Sequence, residues 1–178
     1  MKKATPEELN ILKEHIQTRA NKTETVSLTQ YIIDRPHLIE ELYHLIFTCD
    51  KKEQWKAAWL FEHVYLEDKT IIRPFLKDMI KRFPNLQSDG VKRHFSKMLA
   101  YSDINNLLDG NFINICFDWL ISEKIPVAVK ANCMHILYNA TKVYPELKPE
   151  LKMILEEQFD NNTAGFKSRA KKILKEIS

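Results

Sequence analysis

With 178 residues, 44% apolar and 29% charged, the chain has the balance of a soluble globular protein long enough to bury most of its apolar surface. Its 3 glycines fall well short of the roughly dozen that average usage of about 7% would supply, which argues against hairpin-rich β folds, phosphate loops and dinucleotide turns. Twenty-seven Lys and Arg against 24 Asp and Glu leave a net charge of +3, a balance that neither demands nor excludes a polyanionic partner.

The opening MKKATPEEL lacks the apolar segment of a signal peptide, and no apolar run approaches the ~18 residues of a membrane span, so a cytoplasmic location is expected. Three cysteines without CxxC spacing fit a reduced environment. Thr5-Pro6-Glu7-Glu8 predicts a capped helix start, with Leu9, Leu12 and Ile16 as its apolar stripe. Residues 20–25 read as a polar gap, followed by a short helical segment from Leu28 to Asp34, and Pro36 opens the next helix. Residues 1–35 are expected to form an N-terminal helical cap.

From Pro36 onward the chain repeats itself. Pro36, Pro74, Asn111 and Pro149 recur at 38, 37 and 38 residues, each followed two positions later by Leu38, Leu76, Ile113 and Leu151. A second series opens with an apolar residue and a lysine at Trp55-Lys56, Val91-Lys92, Val129-Lys130 and Phe166-Lys167, spaced by 36, 38 and 37. Four positions on stand Trp59, Phe95, Cys133 and Ala170; eight positions on stand His63, Leu99, Leu137 and Leu174. This spacing defines one face of a helix, so each repeat is predicted to be a helix pair. No gap is long enough for a linker, and 1–178 reads as a single domain with repeats over 36–178. Gly90, Gly110 and Gly165 fall at the heads of predicted helices, where the chain is expected to turn.

Signatures of catalysis are absent: HExxH, GxSxG, a P-loop, an EF-hand loop and paired CxxC do not occur. The six histidines form no i, i+4 pair, and Cys133 and His135 point in different directions on one helix, so no catalytic residue, metal or cofactor is expected. His63, in a column otherwise filled by leucine, reads as a histidine at the core edge. The candidate binding surface is the recurring lysine column, Lys56, Lys92, Lys130 and Lys167, together with Arg93. Residues 69–97 hold eight basic and two acidic residues, and 164–178 hold five basic and one acidic. Such a ladder suits a phosphate backbone, or it ties neighbouring repeats through acids such as Glu53 and Asp89.

A period near 37, two helices per unit and the apolar-Lys opening resemble the HEAT and armadillo-like repeat superfamily. That resemblance implies an all-α, right-handed α-α superhelix, or solenoid, of about four HEAT-like pairs behind the cap, binding a protein or peptide partner on its concave face without catalysis. The alternative is nucleic-acid binding through the lysines. Some HEAT-like proteins are alkylpurine DNA glycosylases, which hold a damaged nucleotide with an Asp and tryptophans; Asp118, Trp119, Trp55 and Trp59 are the residues to compare here. The stretches AAWLFEHV, ICFDWLISEKIPVAVKANCMHILY and AGFKSRAKKILKEI are similar to short bacterial all-helical proteins sometimes named adenylosuccinate lyase. The lyase's Ser-Ser and Met-Pro loop does not occur, so the resemblance extends to that group and not to the activity.

Overall fold

The computed structural model describes residues 3–18 and 21–177. Among the described residues ten α-helices follow one another: α1 (Pro6–Gln17), α2 (Lys22–Ile33), α3 (His37–Thr48), α4 (Gln54–Glu67), α5 (Leu76–Arg82), α6 (Asp89–Ala100), α7 (Gly110–Ile121), α8 (Val127–Val143), α9 (Lys148–Gln158) and α10 (Ala164–Ile177). No strand occurs among the described residues, and none of their helices is long and apolar enough to cross a membrane.

The predicted start of α1 forms as a reciprocal capping box. Glu8 N–H donates to Thr5 Oγ1 at 3.2 Å and Thr5 N–H donates to Glu8 Oε2 at 2.8 Å, satisfying two N–H groups that the helix leaves open. Leu12 and Ile16 are buried, and the Glu8 carboxylate also accepts from His37 Nε2 at 3.1 Å, which links the cap to α3.

The predicted gap at 20–25 is instead the first turn of α2, with residue 20 outside the described part. Asn21 caps that helix by accepting from Glu24 N–H at 2.8 Å. The helical segment expected from Leu28 to Asp34 is the second half of this helix, and its earlier start was masked by polar residues such as the buried Thr25. Thr25 and Thr29 donate their hydroxyls to the carbonyls of Asn21 and Thr25, at 2.8 and 2.7 Å, and so enter the core with their polarity satisfied.

The chain groups into two compact units, Met1–Leu76 with Leu86–Phe95, and Lys77–Asn85 with Ser96–Ser178. In the first, α3 and α4 pair, α1 packs on α3, and α2 packs on α4. Its centre is aromatic: the Tyr43 ring lies 4.7 Å from Phe75, 5.3 Å from Phe61 and 6.2 Å from Phe95. In the second unit α7 pairs with α8, and α8 packs against both α9 and α10. Phe83 stacks on Trp119 at 4.2 Å, and Cys116, Cys133, Leu137, Leu155, Phe166 and Ala170 are fully or almost fully buried.

The first-helix column of the repeat is core throughout, with Leu38, Leu76, Ile113 and Leu151 all buried. The second-helix column holds for α6, α8 and α10, where Val91, Val129 and Phe166 are no more than 2% exposed. In α4 it shifts. Trp55 is 42% exposed, whereas Ala57, Phe61, Val64 and Tyr65 are buried at the i, i+4, i+7, i+8 spacing. The α4 opening therefore corresponds to Ala57, two residues later than the apolar-Lys pattern indicates.

The three glycines do stand at helix heads, but as helical residues and not in turns. None of the glycines has a positive φ, and all three lie within the first turns of α6, α7 and α10. At Gly90 the reason is proximity: an added Cβ would stand 2.3 Å from the Trp55 Cβ.

Candidate binding surface

The shift in α4 changes the lysine column. Lys92, Lys130 and Lys167 each follow their core opening residue, while Lys56 precedes Ala57 and belongs to another face of its helix. Each lysine also has its own surroundings. Lys56 Nζ donates to the Thr18 and Gln17 carbonyls at 2.7 and 3.4 Å, closing the C-terminal end of α1 where helix carbonyls lack partners. Lys92 pairs with Asp89 at 3.1 Å, one turn back on its own helix. Lys130 is buried, which lowers its pKa from the usual lysine value, with Glu123 acting in the opposite direction. The Lys167 ammonium lies 5.9 Å from the centre of the Phe159 ring. Arg93 is exposed on α6.

A different column carries polar links between helices. His94, Asn132 and Arg169 occupy the position three residues after Val91, Val129 and Phe166. His94 Nδ1 donates to Glu62 Oε2 of α4 at 2.5 Å, both residues being buried. Asn132 Nδ2 donates to Ser96 Oγ at 3.0 Å, also buried. Arg169 donates to the Ala131 carbonyl at 2.8 Å and to Asn132 Oδ1 at 3.4 Å. Each link joins one second helix to the second helix before it.

The outward side of the second unit gathers groups that the lysine pattern did not single out. Tyr101 directly follows α6 and is 43% exposed; its ring stacks on His135 of α8 at 4.8 Å. The other guanidinium nitrogen of Arg169 donates to the Tyr101 hydroxyl at 3.1 Å. Lys142 lies 4.3 Å above the Tyr138 ring and donates to Asn139 Oδ1 at 3.3 Å. Tyr101, His135, Tyr138, Arg169, Lys172 and Glu176 line a cleft of about 340 Å³. A second hollow of about 370 Å³ shares Tyr101 and His135 and adds Asp103, Asn139 and Lys142. Burial, followed by the charges of Arg169 and Lys142, holds the His135 imidazole below its ordinary pKa.

A sequence signal for this surface exists once the register of α4 is corrected. Six residues after Ala57, Val91, Val129 and Phe166 stand His63, Lys97, His135 and Lys172, a basic column on the four second helices. In the first unit its member His63 packs edge-on against Trp59 at 4.9 Å, beside the exposed Trp55. His63 is half-buried in this ring cluster, outside the leucine column. Trp119 is buried against Phe83, so it is core and offers no face to a nucleotide, while its neighbour Asp118 is exposed. No group of three or more His, Cys, Asp or Glu side chains placed to hold a metal occurs among the described residues.

Paired helices, α3 with α4, α7 with α8 and α9 with α10, and second helices linked at a recurring position define a helical-repeat protein. The family model for the HEAT repeat domain matches residues 12–177, and the chain belongs to that family. Comparison with curated proteins and with solved structures finds no match.

Proposed function

We propose that this HEAT repeat chain is a non-catalytic scaffold that recognises a protein or peptide partner through the outward faces of its second helices, the concave side of a repeat superhelix. One observation carries the reading. Among the described residues the exposed aromatic side chains are Trp55 and Tyr101, at 42% and 43%, and both belong to second helices or their immediate ends. Large rings left in water, one of them held by Arg169, are the composition of recognition surfaces, where aromatic and arginine residues dominate binding energy.

Selecting binders from a random dodecapeptide library against the full chain, then mapping them by backbone amide shifts, tests the proposal. Shifts are expected in α4, α6, α8 and α10. Shifts confined to α3, α5, α7 and α9 would overturn it.

A further inference from the structure

We infer that the cleft between Tyr101, His135, Tyr138, Arg169 and Lys172 is a carboxylate-binding site for an acidic peptide segment of a partner protein. This rests on the scaffold reading and names the chemistry of its ligand.

The donors are arranged for an anion. Arg169 is fixed by the Ala131 carbonyl and Asn132 on one side and by Tyr101 on the other, so its guanidinium is held in place before any ligand arrives. The Tyr101 oxygen accepts from that guanidinium, which leaves its own O–H to donate to a further acceptor and strengthens it as a donor. Lys172 is exposed at the cleft edge, and Lys142 stands at the adjoining hollow. Among the described residues none of Arg169, Lys172 and Lys142 lies within ion-pair distance of a carboxylate, although Glu176 and Asp103 border the two hollows. Carboxylates of a bound segment meet this set of donors with charge-assisted hydrogen bonds, and an arginine fork suits them in particular.

The rings favour peptide over nucleic acid. Tyr101 already has one face covered by His135, and Tyr138 has one covered by the Lys142 ammonium. Base recognition by single-strand binders needs open ring faces along a charged track. Here the Tyr138 ring braces the Lys142 ammonium and the Tyr101 hydroxyl holds Arg169, and hydrogen-bond donors are what the cleft presents.

The test is fluorescence anisotropy of labelled octaglutamate titrated with the full chain, beside a labelled ten-nucleotide oligothymidylate. Lys172→Glu is expected to weaken octaglutamate binding at least tenfold and Tyr101→Phe about fivefold, with far-UV circular dichroism unchanged. Lys81→Glu, exposed on α5 and lining neither the cleft nor the adjoining hollow, makes the same change in net charge and is expected to weaken binding less than twofold. Equal losses for Lys172→Glu and Lys81→Glu would show that binding merely follows net charge and overturn the inference. So would tighter binding of oligothymidylate, or no binding of octaglutamate. If octaglutamate fails while library peptides still map to the second helices, the ligand chemistry is wrong and the scaffold reading stands.

Discussion

Replacing Gly90 by alanine tests a close approach between α6 and Trp55 of α4 in the first unit. The new Cβ would stand 2.3 Å from the Trp55 Cβ, where carbon atoms in contact normally keep about 3.5–4.0 Å. Since the obstacle is a Cβ, no rotamer change of the indole relieves it, and the start of α6 must move away from α4 by roughly 1 Å. Overpacking of this kind costs about 1–3 kcal/mol, and alanine's better helix propensity returns about 1 kcal/mol, leaving a net loss of about 1 kcal/mol or somewhat more. For a chain of this size a loss of 1 kcal/mol lowers Tm by roughly 2–4 °C. Gly165→Ala is the control: it lies in α10 with no heavy atom within 4 Å of the added Cβ, so it gains propensity without a clash. Thermal melts followed by far-UV circular dichroism should therefore move in opposite directions for the two variants. A rise in Tm for Gly90→Ala equal to that of Gly165→Ala would refute the close approach of α6 to Trp55.

Three further outcomes follow from the buried polar groups. His135 has a lowered pKa through burial and then through Arg169 and Lys142, so the unfolded chain binds the extra proton first. Stability is then lost as pH falls from about 6.5 through the lower folded value, and His135→Gln should flatten that part of the curve in urea titrations at pH 7.5 and 5.5. Cys116 is a free thiol, fully buried and hydrogen-bonded to the Cys133 thiol, and burial first and then that contact push its pKa well up. Iodoacetamide on the native protein should therefore label half-buried Cys49 ahead of Cys116 and Cys133, and all three should react in urea; equal native rates would contradict the burial. Asn132→Ala removes the buried bond to Ser96 and one of Arg169's acceptors, with an expected loss of about 1–3 kcal/mol in urea unfolding, while an unchanged midpoint would refute the link.

The repeat was legible because most of its helices are amphipathic. The first-helix column and the α6 and α10 columns have a polar side that sets the phase, and their apolar positions are buried as the spacing predicts, except Leu174, which is half-buried. In α4 that contrast is weak: Trp55, Ala57, Ala58, Trp59, Leu60, Phe61, Val64, Tyr65 and Leu66 surround the helix with apolar groups. Periodicity then has no phase to report, and the apolar-Lys pattern fixed on Trp55 rather than Ala57. The α2 start escaped for the opposite reason, since Thr25 and Thr29 are polar by composition yet buried by their bonds to the preceding turn. The cleft was least visible because it depends on the contact of Tyr101 with Arg169, 68 residues apart, and neither stands in the lysine column.

The position of Arg169 links two equilibria. Its guanidinium holds α10 to α8 and also forms a wall of the cleft beside Tyr101. A ligand that binds only when this side chain is in place must stabilise the docked form of the final helix by mass action. Local opening of α10 would withdraw the same group and lower the apparent affinity by the fraction of molecules opened. Occupancy of the cleft should therefore register as slower amide exchange along α10, so that the last helix of the chain reports binding at a distance from its own backbone.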